Sequence, residues 1–114
     1  MLFRSDYHGK VVDVYDGDTC TIVVDLGFRV QLEIKVRLLG INAPELKGVT
    51  KDAGFEARNY LIQLIAGKYV YIKTYKDKQE KYGRWLGEIY LSDNSETSVN
   101  HMMITAGHAV AYMD

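Results

Sequence analysis

The sequence predicts a β-rich α+β fold, namely a five-stranded Greek-key barrel of the OB type with one or two helices packed against it. Several short segments rich in β-branched and aromatic residues lie along the chain, and one long helical pattern separates the earlier segments from the later ones. Short twisted strands of this kind close into small barrels, and the OB fold has five of them. The length of 114 residues suits a single domain over residues 1–114.

Strand signals dominate the first half of the chain. Residues 11–15 and 19–25 are rich in β-branched side chains, and the Asp-Gly-Asp sequence of residues 16–18 is a turn signal between them. Apolar and polar residues alternate over residues 28–38, which is the period of a half-buried strand. This alternation places Arg37 on the polar face, away from the apolar core.

The period of the pattern changes after this strand. Residues 40–54 form a predicted loop that contains the one proline of the chain, Pro44. Apolar residues then recur at helical spacing over residues 53–66. We therefore expect a helix between the early and the late strands.

The late part of the chain alternates between strand and helix signals. Strands are predicted over residues 69–75 and 85–91, with a charged loop over residues 76–83 between them. A short helix over residues 99–106 and an extended segment over residues 109–112 follow. One face of the first of these strands carries Tyr69, Tyr71, Lys73 and Tyr75.

The charge balance argues against one class of nucleic-acid protein. Fourteen Lys and Arg residues face fifteen Asp and Glu residues, so the net charge is -1. A protein that coats DNA is usually basic, because phosphate neutralisation supplies most of its affinity. A nuclease needs positive charge only in one cleft and must release its product, so this balance is compatible with a nuclease.

Cysteine content and hydropathy bear on the compartment. Cys20 is the one cysteine, so no internal disulfide can form. The cysteine content therefore does not distinguish an oxidising from a reducing compartment. The sequence shows no apolar run long enough for a signal peptide or a membrane span. We expect a cytoplasmic protein without a membrane partner, or a secreted one if a signal has been removed.

Three short clusters could carry chemistry. Residues 16–19, Asp-Gly-Asp-Thr, place two carboxylates around a glycine, which suits a hard cation. Residues 37–45 run from Arg37 into a loop ending at Glu45, and residues 81–85 gather Lys, Tyr and Arg side chains suited to phosphate and base contacts. Taken singly, each cluster is more often an ordinary turn, a solvated strand end or a charged hairpin end.

Together the clusters contain what phosphodiester cleavage requires. Arg37 and Arg84 can each bind two phosphate oxygens and stay charged at any working pH. A divalent cation neutralises phosphate charge and positions the attacking water. The Glu45 carboxylate can accept or orient the proton of that water.

The three clusters resemble those of the staphylococcal nuclease (thermonuclease) family. That family combines Asp-Gly-Asp-Thr with Arg-Leu-x-x-[Val/Ile]-Asp-x-Pro-Glu and then Lys-Tyr-Gly-Arg. All three blocks occur here in that order, at residues 16–19, 37–45 and 81–84, with the predicted helix between the second and the third. The resemblance covers residues 11–112 and implies an SNase-like OB barrel.

The resemblance implies a specific activity and a specific set of residues. Family members cleave DNA and RNA, typically with calcium, and release 3′-phosphate products. Calcium, or another divalent cation, is thus the expected cofactor, and DNA or RNA the expected substrate. The residues implied are Arg37, Glu45 and Arg84 in catalysis, Asp18, Asn42 and Glu45 at the metal with the Ala43 carbonyl as a further donor, and Lys81, Tyr82 and Tyr112 at the substrate.

The chain departs from the family pattern at two places. Asn42 stands where the family has a second metal-binding aspartate, which predicts weaker metal affinity or a different preferred cation. The family's C-terminal helix is not in the sequence, so the pattern is truncated there. Apolar surface exposed by that truncation would favour self-association.

Two other interpretations stay open at this point. The first is a non-catalytic OB-type module that binds nucleic acid or protein, which Asn42 and the net charge favour. The second is an unrelated small barrel with chance matches. Glu45 favours an enzyme, because a binding module has no need of a carboxylate beside phosphate.

Overall fold

The computed structural model describes residues 4–79 and 83–113, with the backbone alone at residues 4–5 and 75–79. These residues form five long strands: β1 (Arg4–Asp16), β2 (Thr19–Asp25), β3 (Gln31–Leu38), β5 (Tyr69–Gln79) and β6 (Trp85–Tyr90), and a short strand, β4 (Ile41–Asn42), follows β3. The five long strands close into a barrel in the spatial order β1-β2-β3-β6-β5. All neighbouring strands of the barrel are antiparallel except β3 and β6, which are parallel.

Two helices and a second small sheet complete the fold. Helix α1 (Lys51–Ile65) follows a 3-10 turn at Gly48–Thr50, and helix α2 (Val99–Thr105) follows β6. Strand β7 (Val110–Ala111) pairs antiparallel with β4 outside the barrel. The predicted five-stranded OB-type barrel with helices packed on it is therefore confirmed.

The core lies inside the barrel and beneath α1. Inward-facing side chains of the strands, such as Val36 and Ile72, are almost fully buried, as the period of two requires. Ala57, Leu61 and Ile65 recur at helical spacing and are fully buried, so this stripe is the face that α1 presents to the barrel.

Helix α2 ties β6 to the segment after β3. The Ser98 side chain caps the helix by accepting a hydrogen bond from the His101 backbone N–H at 3.1 Å. The buried Asn100 side chain accepts from the Ile89 N–H at 3.1 Å. It also donates to the carbonyl oxygens of Leu39 at 2.8 Å and Gly87 at 3.1 Å.

Several predicted boundaries were wrong. The loop predicted over residues 40–54 contains β4, the 3-10 turn and the first turn of α1. The strand predicted from residue 28 begins at Gln31, because Gly27, Phe28 and Arg29 adopt φ values of 82°, 53° and 63° and form a turn. The loop predicted over residues 76–83 is partly strand, since β5 continues to Gln79, which pairs with Trp85.

The first strand is longer than its β-branched run. Residues 4–10 extend it and pair with β5, which closes the barrel. Gly9 belongs to this extension, and a Cβ there would overlap with the Val23 carbonyl oxygen, so close backbone packing requires glycine. None of the helices among the described residues combines the length and apolar character that crossing a membrane requires.

Candidate active site

The turn between β1 and β2 is held tightly against α1. The Asp18 backbone N–H donates to Asp16 Oδ1 at 3.0 Å, which closes the turn locally. Gly17 is buried, and a Cβ there would lie 2.7 Å from Ala43 Cβ and 2.8 Å from Ala57 Cβ. Only glycine lets the turn approach both the helix and the loop after β4 this closely. The turn is therefore held in one position, and with it the carboxylates of Asp16 and Asp18.

Asp18 joins this turn to the loop that carries Glu45. Its side chain is 6% exposed. Asp18 Oδ2 accepts the Ala43 backbone N–H at 2.9 Å, and Oδ1 accepts the Thr19 hydroxyl at 3.1 Å. Both oxygens of this buried carboxylate therefore have a hydrogen-bond partner.

Arg37 lies on the polar face of β3, as the alternation predicts, but it is buried instead of solvated. It pairs with Thr19 of β2 and is 8% exposed. Its Nη1 donates to the carbonyl oxygens of Leu38 at 2.9 Å and Ile41 at 2.8 Å, and lies 3.6 Å from Asp18 Oδ2. These contacts fix the position of the guanidinium.

Arg84 reaches the same site from the start of β6. Its Nη1 donates to Thr19 Oγ1 at 3.1 Å, while the Thr19 hydroxyl donates to Asp18. A continuous chain of polar contacts therefore runs from Arg84 through Thr19 and Asp18 to Arg37. Two arginines far apart in sequence are thereby linked to one buried carboxylate, Arg37 directly and Arg84 through the Thr19 hydroxyl.

Glu45 lines an open groove of about 870 Å³ beside this chain. Its side chain is exposed, and its backbone is held by the Thr50 hydroxyl, which donates to the Glu45 carbonyl oxygen at 3.1 Å. Asp16, Thr19 and Arg84 line the same groove. A carboxylate and an arginine thus face one solvent-accessible space.

The remaining predicted residues divide into two groups. Asn42 and Tyr112 both border Arg37: Nη2 donates to Asn42 Oδ1 at 3.4 Å, and Arg37 Cζ lies 5.8 Å from the centroid of the Tyr112 ring. The β4–β7 pairing and the Tyr112 N–H bond to the Gly40 carbonyl at 2.8 Å bring them there. Lys81 and Tyr82 lie outside the described residues.

Asp16 belongs to the site although the implied residue set names only Asp18. The pKa of the Asp16 carboxyl is raised from 3.8 to about 6, chiefly by burial and in addition by the side-chain hydrogen bond and the negative charge of Asp18. The signal was present in the sequence as the first carboxylate of the Asp-Gly-Asp turn. Two carboxylates this close repel each other unless a proton or a cation lies between them.

The donor chemistry fits a hard divalent cation. Asp16 and Asp18 would supply carboxylate oxygens, and the Asn42 amide oxygen is a neutral donor of the same type. Within residues 4–79 and 83–113, no group of three or more His, Cys, Asp or Glu side chains is arranged to hold a metal. Water or substrate phosphate oxygens would complete the coordination, as is common for such ions.

This chain is similar in sequence to several known proteins. An "Uncharacterized endonuclease" from Escherichia coli O157:H7 is 35% identical over 108 residues, which cover 95% of this chain and 63% of that protein. A "Micrococcal nuclease" from Shigella flexneri is 32% identical over 114 residues, covering 95% of this chain and 60% of that protein. The chain spans about three fifths of the length of these two bacterial relatives.

A plant relative and a family model agree with these similarities. A "Probable staphylococcal-like nuclease" from Oryza sativa subsp. japonica is 39% identical over 75 residues, which cover 66% of this chain and 18% of that protein. The model described as "Staphylococcal nuclease homologue" matches residues 35–114, which include Arg37, Glu45 and Arg84. With its barrel, its two helices and this match, the chain belongs to the staphylococcal nuclease homologue family.

Proposed function

We propose that this protein hydrolyses phosphodiester bonds of DNA or RNA in a reaction that depends on a divalent cation, calcium being the first candidate. One observation carries the proposal: Arg84, Thr19, Asp18 and Arg37 form a continuous polar chain at the edge of the groove that Glu45 lines. Positive charge, a carboxylate and solvent access therefore coincide, which is the arrangement that phosphoryl chemistry needs.

The two arginines would hold the phosphate. Each guanidinium donates to non-bridging oxygens, whose charge grows as water adds to phosphorus. Because Arg37 is anchored on two backbone carbonyls, it needs little reorganisation during the reaction. Arg84 is linked to Arg37 through Thr19 and Asp18, and we propose that the two cations act on one phosphate group.

Glu45 would act on the attacking water. Its exposed carboxylate accepts a proton as the water oxygen bonds to phosphorus. The bond between phosphorus and the 5′ oxygen then breaks, and the leaving oxygen takes up a proton, so that a 3′-phosphate and a 5′-hydroxyl result. Product ends are therefore a direct test of which bond breaks.

Asp16, Asp18 and Asn42 would hold the cation. When bound, a divalent cation neutralises phosphate charge and lowers the pKa of a coordinated water. The close Asp16 and Asp18 carboxylates supply the negative charge that attracts it. Asn42 contributes no charge, so we propose a weaker site than a third carboxylate would give.

The test is a digestion of plasmid and single-stranded DNA with calcium, magnesium, manganese or EDTA. Cleavage should require a cation, and Arg37→Ala should lower it by about 10²–10³-fold. Glu45→Ala should lower it by about 10²–10⁴-fold. The matched controls are Arg29→Ala and Glu33→Ala, which replace an exposed arginine and an exposed glutamate outside the groove. Both controls should leave the cleavage rate unchanged.

The outcomes separate this proposal from its alternative. Asn42 in place of a carboxylate favours a module that binds nucleic acid without cleaving it. Binding without cleavage under every cation would establish that alternative. Cleavage that survives EDTA would refute the cation requirement, and 5′-phosphate ends would refute the assignment of the broken bond.

A further inference from the structure

A cluster of aromatic and basic side chains lies on the outer surface of β1, β5 and β6, outside the groove. Strand register places its members side by side: Tyr71 pairs with His8 on one side and with Tyr90 on the other. Tyr69 pairs with Lys10 in the next row. Tyr69 and Tyr71 point outward, because Val70 between them in the strand is buried. We define the tyrosine face as Tyr69, Tyr71, Tyr90, His8, Lys10 and Lys73.

Cross-strand packing explains part of this arrangement. The His8 and Tyr71 rings have centroids 6.1 Å apart, and Lys73 Nζ lies 4.9 Å from the centroid of the Tyr90 ring. Tyr69 is nevertheless 71% exposed and Tyr71 39% exposed, so both rings have surface accessible to a ligand. A depression of about 330 Å³, lined by Tyr71, Tyr90 and Lys73 among others, adjoins the rings.

The tyrosine face continues the surface that carries the groove. Strand β1 contributes His8 and Lys10 to the tyrosine face, and Asp13 and Asp16 to the groove. On the outer surface Lys10 lies opposite Val23, and Asp13 lies opposite Thr21, a groove residue. Lys10 and Asp13 are three positions apart along β1, a distance of roughly 10 Å.

We propose that the tyrosine face binds a single-stranded segment of nucleic acid whose scissile phosphate lies in the groove. Tyrosine rings offer stacking surfaces to any base, and neighbouring lysines offer contacts to phosphates, which is how sequence-tolerant single-strand sites work. Sites on OB folds cover about 4–16 nucleotides, so one strand can span both regions. This inference rests on the proposed function for its location relative to the scissile bond, but not for the binding itself.

The charges around the tyrosine face indicate that stacking dominates. Lys73 lies opposite Asp6 and Glu88, and His8 lies opposite Asp25, so the surface is nearly neutral. Two lysines contacting phosphates would give a slope of about -1.4 for log affinity against log salt concentration. Binding should therefore be only weakly salt-dependent, unlike that of a basic DNA-coating surface.

The test measures binding with cleavage switched off. A fluorescent oligothymidylate of about 12 nucleotides is titrated with the protein in EDTA. Tyr71→Leu and Tyr69→Leu should each weaken binding by about 10-fold, whereas Tyr71→Phe should retain it because the ring still stacks. Phe55→Leu is the matched control, since Phe55 is an aromatic residue of α1 with the same 39% exposure as Tyr71.

A cross-linking experiment locates the strand directly. When the oligonucleotide carries 5-iodouracil, irradiation should cross-link the oligonucleotide to Tyr69 or Tyr71. Peptide mass spectrometry would identify the cross-linked residue. Unchanged affinity in both leucine variants, or cross-links confined to groove residues, would overturn the inference. If the protein binds through these tyrosines but never cleaves, the inference stands and the proposed nuclease function fails.

Discussion

Gly54 lies in the first turn of α1, against the loop that carries Glu45. A Cβ added at this position would overlap with the Glu45 carbonyl oxygen and lie 2.7 Å from its carbonyl carbon. Because carbon atoms in contact prefer about 3.5–4.0 Å, Gly54→Ala must displace the loop by roughly 1 Å. The substitution therefore moves Glu45 without changing any groove side chain.

The expected losses of stability and activity differ in size. Alanine in place of glycine favours a helix by about 1 kcal/mol, while overpacking costs about 1–3 kcal/mol. The net loss in unfolding free energy should therefore be at most about 2 kcal/mol. A misplacement of about 1 Å near the reacting atoms can lower the rate by about 10²-fold. Activity should thus fall far more than stability.

The assay compares initial rates of DNA cleavage and thermal midpoints for the two proteins. Gly87→Ala is the matched control, since Gly87 is also buried but its added Cβ would meet Ile72 Cγ2 at 3.3 Å, a contact that small shifts relieve. This control should retain activity and lose only a little stability. Wild-type cleavage by Gly54→Ala, with the protein folded, would refute the view that the position of Glu45 limits the rate.

Three further predictions concern other residues. Asn42→Asp should tighten calcium binding in isothermal titration calorimetry, because ligand charge sets the affinity of such sites; unchanged affinity would place the metal elsewhere. Asn100→Ala removes three hydrogen bonds of a buried side chain and should lower the unfolding free energy by about 3 kcal/mol in urea, so a loss below about 1 kcal/mol would contradict its structural role. Burial raises the pKa of the Cys20 thiol from 9.0 to about 12, so the thiol should resist DTNB in the folded protein. Fast labelling of this thiol by DTNB near neutral pH would contradict its burial. The contribution of the raised pKa to the unfolding free energy is complete below pH 9.0 and is lost as the pH rises toward 12.

Much of the fold could be predicted because local patterns carry it. The apolar stripe of α1 and the β-branched run of β2 have the periods of their elements, and both occur where the sequence indicates. The ends were harder to predict. Phe28 and Arg29 adopt positive φ values, which non-glycine residues rarely show. The alternating pattern at these residues therefore predicted a strand where the chain forms a turn.

The sequence by itself determined the clusters that carry chemistry, their order and their resemblance to one family, because these depend only on residue type and spacing. The tertiary structure alone decided what surrounds each group. Arg37 is buried because Asp18 and Tyr112, which belong to separate parts of the chain, converge on it. Local periodicity cannot encode contacts between residues so far apart in the chain, and these contacts are formed only in the folded tertiary structure.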